Sequence, residues 1–212
     1  MAKNIIFFGD SIFDSRRDRT EPDCTMPSYG WGCVFLIASE LLSKYPNEYA
    51  VFNRGNSGDR IYNLYGRLTP DVWNLKPDVL TINVGINDVE HPNQIRGGTD
   101  IKRFEKIYRD IIEETKERFT SVRIILCEPY AIKIDEETPK NYFWYNNMIP
   151  VYRELLEKLC SEYSLELVAL NDIMNEKAEK YGKENVTLDG THPNMLGAKT
   201  IAEEWLKVFF SK

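Results

Sequence analysis

One serine, one histidine and one aspartate stand in this chain as acyl-transfer chemistry would need them. Ser11 follows the apolar run Asn4–Phe8 and the dipeptide Gly9-Asp10, so its hydroxyl falls at the end of a strand beside a residue that permits a tight turn. His192 lies three residues after Asp189 in Asp189-Gly190-Thr191-His192-Pro193. A Gly- and Pro-containing loop of that length lets the carboxylate fold back to the ring. There it would hold one tautomer and stabilise the imidazolium formed when the free nitrogen takes a proton. The chain has 2 histidines. The other, His91 beside Pro92, has no comparable partner, which suits a surface or cleft-rim position.

Attack on an ester carbonyl also needs hydrogen-bond donors for the tetrahedral oxyanion. Gly58, in Asn53-Arg54-Gly55-Asn56-Ser57-Gly58-Asp59, offers an N–H that no side chain shields, and Asn87, in Gly85-Ile86-Asn87-Asp88, offers a side-chain amide. With the N–H of Ser11 itself, three donors are available. Ser57 is a rival nucleophile on exposed loop chemistry, but the G-x-S-x-G elbow is absent because residue 59 is Asp. Asn87 and Asp88 could instead cap a following helix, Asp189 could be a turn residue and His192 a satisfied loop histidine.

These segments must be positioned by the elements around them. Short apolar runs at Asn4–Phe8, Tyr49–Asn53, Val79–Val84, Val122–Cys127 and Leu165–Leu170 predict five buried strands. Helical periodicity predicts helices around Trp31–Lys44, over Ile101–Phe119, through Met148–Leu159 with Pro150 starting or kinking it, and from about Met195 onward. Strand–helix alternation of this kind predicts a three-layer α/β/α fold with a five-stranded parallel sheet in the flavodoxin-like order 2-1-3-4-5. In that order strands 2, 1 and 3 are adjacent, and the loops carrying Ser11, Gly58 and Asn87 open onto one cleft. Arg16–Tyr29 and Pro129–Tyr145 are the long irregular pieces, both expected near the carboxyl ends of strands.

The bulk properties narrow the function. The 212 residues are read as a single domain, 1–212, because no linker interrupts them. A net charge of -6 argues against a nucleic-acid partner, and Arg16, Arg17 and Arg19 are interrupted and followed by acids. No run approaches the length of a membrane span and no secretory leader is evident, so a cytoplasmic location is expected. Cys24, Cys33, Cys127 and Cys160 show no pairing or metal spacing; Cys127 and Cys160 suit buried reduced thiols. No metal and no cofactor is expected. The aromatics Tyr29, Trp31, Tyr142, Phe143, Trp144 and Tyr145 could stack on a sugar, but packing into the core or an oligomer interface is the expectation.

Taken together, Gly9-Asp10-Ser11, Gly58, Gly85-Ile86-Asn87-Asp88 and Asp189-Gly190-Thr191-His192-Pro193 resemble the four motif blocks of the SGNH hydrolases, also called GDSL esterases and lipases. The likeness spans residues 5 to 197 in the family's order, with Ile12 where the family motif has Leu. It implies Ser11 as nucleophile, Gly58 and Asn87 completing the oxyanion hole, and Asp189 and His192 in the remaining triad roles. Within the family the chain resembles bacterial carbohydrate acetylesterases of the acetylxylan type, through Gly85–Val89, the Pro129-Tyr130 turn and its length. The implied partner is a small-molecule ester, an acetylated sugar in that reading, with a homo-oligomer compatible. Two other readings stand beside it: a lysophospholipase or thioesterase of the same family, and a non-catalytic flavodoxin-like module binding phosphate or flavin.

Overall fold

The computed structural model describes residues 2–89, 98–133 and 139–211, with the side chains of 139–146 excepted. His91 and the side chains of Tyr142, Phe143, Trp144 and Tyr145 lie outside the described residues. The chain opens with β1 (Lys3–Gly9), α1 (Ser11–Asp14), α2 (Cys33–Lys44), β2 (Tyr49–Gly55), α3 (Ile61–Gly66), α4 (Leu68–Asp71) and β3 (Val79–Asn83). It continues with α5 (Ile101–Arg118), β4 (Arg123–Cys127), α6 (Pro139–Tyr163), β5 (Glu166–Val168), α7 (Asn171–Tyr181), α8 (Lys183–Val186) and α9 (Met195–Phe210). The five strands form one parallel sheet in the order β2-β1-β3-β4-β5, the expected order.

Strand alternation divides the core between the two faces of this sheet. On β1, Ile5 and Phe7 point to the face covered by α2, α7 and α9, while Ile6 and Phe8 point to the face covered by α3, α5 and α6. All four are fully buried, each such side chain contributing roughly 1.5–3 kcal/mol. On the first face Phe7 meets Phe13 edge-on and Trp205 at a tilt, and the Trp205 indole N–H donates to Thr81 Oγ1 at 3.0 Å. On the second, α5 buries Phe104, Tyr108, Ile111 and Ile112, the stripe its periodicity predicted, and Asp100 caps its first turn by accepting from the Arg103 N–H.

Several boundaries move for identifiable reasons. The helix predicted from Trp31 begins at Cys33, because Gly32 is its N-cap and Gly30 has a φ of +74°. Pro150 lies inside α6, which starts at Pro139, so part of the stretch expected to be irregular is helical. A 3-10 turn over Met26–Tyr29 interrupts the other irregular stretch. Cys127 is buried and Cys160 half-buried, both as free thiols. Among the described residues, no helix is long and apolar enough to cross a membrane.

Candidate active site

Ser11 is the first residue of α1, one step beyond the carboxyl end of β1. Asp10 caps this turn: its Oδ1 accepts from the Ile12 N–H at 3.0 Å and from Asn83 Nδ2 at 3.1 Å, while its own N–H donates to the Asn83 carbonyl. The turn that carries the serine is thus fastened to the end of β3. Asp10 is fully buried and its Oδ2 has no hydrogen-bond partner. Burial pushes its carboxyl up to about 7, against the opposing hydrogen bonds from Ile12 and Asn83 and the pull of His192.

From the opposite end of the sequence, the loop 187–193 carries His192. It is held from inside by Thr187, whose hydroxyl donates to the His192 carbonyl at 2.9 Å and accepts from the Gly190 N–H at 2.9 Å. From outside, Tyr130 donates its hydroxyl to the Thr191 carbonyl at 2.6 Å and the Ile132 N–H donates to the Gly190 carbonyl. This places His192 Nε2 at 2.8 Å from Ser11 Oγ, across 181 residues of sequence. The other ring nitrogen, Nδ1, lies 2.6 Å from Asp189 Oδ2. Asp189 Oδ1 accepts from the backbone N–H groups of Thr191 and His192. Burial raises the Asp189 carboxyl, but these hydrogen bonds outweigh it and hold the group below the ordinary carboxylate range. An ionised carboxylate can only accept, so Nδ1 carries the ring proton and Nε2 is left to accept from the serine hydroxyl.

The loop after β2 is bound to the end of the neighbouring strand β1. The Asn56 N–H donates to the Gly9 carbonyl, Asn56 Nδ2 donates to Asp59 Oδ1 at 2.6 Å, and Arg67 reaches Asp59 Oδ2 and the Gly9 and Arg54 carbonyls. Ser57 donates its hydroxyl to Asp14 Oδ2, which also accepts the Ser57 N–H and Arg19. That hydroxyl is committed to a carboxylate and has no imidazole, which removes it as the rival nucleophile. Gly58 has a φ of +84°, a left-handed conformation that costs little only for glycine. The N–H groups of Ser11 and Gly58 have no acceptor among the described residues. Asn87 Nδ2 donates to the Asp59 carbonyl at 3.0 Å, which fixes the amide and leaves its second hydrogen available.

Asp88 does hold a helix start, but an earlier one rather than a following one: both carboxylate oxygens accept from the Ile61 N–H that opens α3. Burial pushes it up to about 7, with the charge of Asp10 adding to the rise. Sequence reasoning missed Asp14, Arg67 and Thr187, which hold the loops rather than face the cleft. Thr187, two residues before Asp189, was the one with a local signal. Of the six aromatics expected to pack, two have described side chains: Tyr29 is buried and Trp31 is exposed at the cleft. Among the described residues, no cluster of His, Cys, Asp and Glu could hold a metal ion.

A hydroxyl bonded to an imidazole that is in turn bonded to a carboxylate can lose its proton as it attacks a carbonyl, and free N–H donors beside it can hold the resulting oxyanion. Comparison with known proteins shows the family. The profile of the GDSL-like Lipase/Acylhydrolase family matches residues 7–200. An acetylxylan esterase from Geobacillus stearothermophilus is 27% identical over 211 residues, covering 97% of this chain and 93% of that protein. A crystal structure of an acetylxylan esterase from that organism superposes with a TM-score of 0.86 at 26% identity, covering 99% of this chain and 95% of the other. An alpha/beta hydrolase enzyme from the metagenome of Lake Arreo, Spain, gives 0.84 at 26% identity, covering 98% and 96%. The chain belongs to the GDSL-like lipase/acylhydrolase family and is a carboxylic ester hydrolase.

Proposed function

We propose that the chain removes small acyl groups, acetyl foremost, from a carbohydrate alcohol through an acyl-serine intermediate. Ser11 Oγ attacks the ester carbonyl as His192 Nε2 takes its proton, and Asp189 steadies the imidazolium. The oxyanion is held by the N–H groups of Ser11 and Gly58 and by Asn87 Nδ2. His192 then returns the proton to the departing alkoxide, and water repeats the cycle on the acyl-serine. No cofactor enters these steps. The observation that carries the reading is the unbroken chain from Ser11 Oγ to His192 at 2.8 Å and on to Asp189 at 2.6 Å.

The acetyl preference is supported by the acetylxylan esterases among the relatives. Residues 1–212 are read as one catalytic domain, since the proposed nucleophile and base come from the two ends of the chain. Ser11→Ala is expected to abolish hydrolysis of p-nitrophenyl acetate while the far-ultraviolet spectrum is unchanged. Full activity in that variant would dismiss Ser11. Across p-nitrophenyl acetate to decanoate, the rate is expected to fall steeply beyond butyrate, whereas a maximum at long chains would favour a lysophospholipase or thioesterase.

A further inference from the structure

Trp31 is 79% exposed, an unusual state for the largest apolar side chain. Its backbone is nevertheless among the most closely fitted in the molecule. The Trp31 N–H donates to the Ser15 carbonyl at 2.9 Å, directly beyond the turn that carries Ser11. A Cβ at Gly30 would come within 2.5 Å of the Asp14 carbonyl oxygen, and one at Gly32 within 2.1 Å of Ser15 Oγ. Two glycines therefore let the segment 30–32 lie flat against the 14–15 turn, with the indole as the one side chain between them. The result is an exposed ring on a fixed mount.

That ring lines a cleft of about 470 Å³ together with Ser11, His192, Arg16, Leu188 and Met195, a volume in the range of small-molecule sites. Leu188 and Met195 are 71% and 78% exposed, so the apolar surface is shared by three side chains around one opening. Neither the Trp31 indole N–H nor the Arg16 guanidinium has an acceptor among the described residues, whereas the hydroxyls of Ser15 and Ser57 and the Asn194 amide are already bonded within the protein. The cleft thus offers a flat apolar face, two apolar neighbours and two sets of free donors. A sugar ring has the complementary surface, with C–H groups on its face and hydroxyl acceptors at its edge.

Position decides which half of the ester lies here. The cleft includes His192 and runs on over Pro193, Met195 and Ala198; on its other side it reaches Ser57 but takes in neither Gly58 nor Asn87. The leaving alkoxide must receive its proton from His192 Nε2, so the alcohol occupies the His192 side and the carbonyl oxygen the Gly58–Asn87 side. Resting on the acyl-serine reading above, we propose that Trp31 is the platform on which the pyranose ring of the alcohol stacks, with Arg16 donating to its hydroxyls, and that this pair determines selectivity for acetylated sugars over simple acetates.

The test compares kcat/KM for an acetylated methyl xyloside with kcat/KM for ethyl acetate, in wild type, Trp31→Ala, Trp31→Phe, Arg16→Ala and Ser11→Ala. The ratio is expected to fall about 10-fold in Trp31→Ala, mainly through KM, and to recover in Trp31→Phe. Arg16→Ala should lower it by about 3-fold or more. An unchanged ratio in Trp31→Ala, or equal losses on both substrates, would overturn the proposal while leaving the serine mechanism standing. Retained hydrolysis in Ser11→Ala would instead remove the mechanism on which it rests. Sedimentation showing a wild-type dimer that Trp31→Ala dissolves would assign the indole to a contact between copies, and a Trp31→Ala loss confined to long acyl chains would put the acyl group in the cleft. Either result would also overturn it.

Discussion

At Asn87 one amide hydrogen is committed to the Asp59 carbonyl, and the proposed mechanism gives the second to the oxyanion. Asn87→Ala should therefore lower kcat by ~10²–10³ with little change in KM, and cost the fold only about 1 kcal/mol for the lost bond to Asp59. Steady-state kinetics beside urea unfolding would separate the two, and an unchanged kcat would exclude Asn87 as a donor. Asp10 makes a different prediction. Burial raises its carboxyl to about 7, so the folded chain keeps a proton there that the unfolded chain, with an ordinary value of about 4, has released. Folding takes up that proton between these limits, and stability falls as pH rises through the window. Asp88, also raised to about 7, acts in the same direction. Asp189 has the opposite sign: its lowered carboxyl contributes stability that is lost as the pH falls through the acid range. Asp10→Asn keeps an oxygen acceptor for Ile12 and Asn83, so the fall in stability between pH 4.5 and 7.5 should shrink to about half. Urea midpoints across that range are the check, and an undiminished fall would mean Asp10 does not titrate there.

The elements bring these residues to their places by close approach at strand ends. Gly55 closes β2 against α1, and a Cβ there would lie 2.1 Å from the Asp14 N and 2.7 Å from its Cα. Gly55→Ala should destabilise by about 1–3 kcal/mol. It should also lower kcat more than a surface change of equal stability cost, because relief of the clash displaces the turn that carries Ser11. A drop in thermal midpoint with kcat intact would contradict this coupling. At this scale the sequence was readable wherever one side of an element is strongly apolar. The strands at Asn4–Phe8 and Val79–Val84 and the stripe of α5 were found to within a residue or two. The short helices α3 and α4 and the helix α7 were not foreseen, since α7 buries Met174 alone and α3 only Ile61 and Leu64, too few for a period to show. Trp31 was expected to pack and does not. Its exposure depends on Gly30 and Gly32 meeting a turn 15 residues earlier, a long-range contact that leaves no local pattern.

Across the whole molecule, the order β2-β1-β3 sets three loop ends side by side, and α9 returns the last loop over the first. That is why Ser11 and His192 could be paired from sequence: only two histidines exist, and strand order brings the early loops together. The clamps that make the pairing tight could not be read in the same way. Tyr130 and Arg67 act across 61 and 58 residues through bonds that only the folded backbone creates. The most direct measurement of the account's central claim is covalent. Wild-type protein treated with a fluorophosphonate should gain one adduct, mapped by peptide mass spectrometry to Ser11, at a rate that His192→Ala reduces by orders of magnitude. An adduct on Ser57 or another residue, or labelling of Ser11 at the same rate without His192, would contradict it.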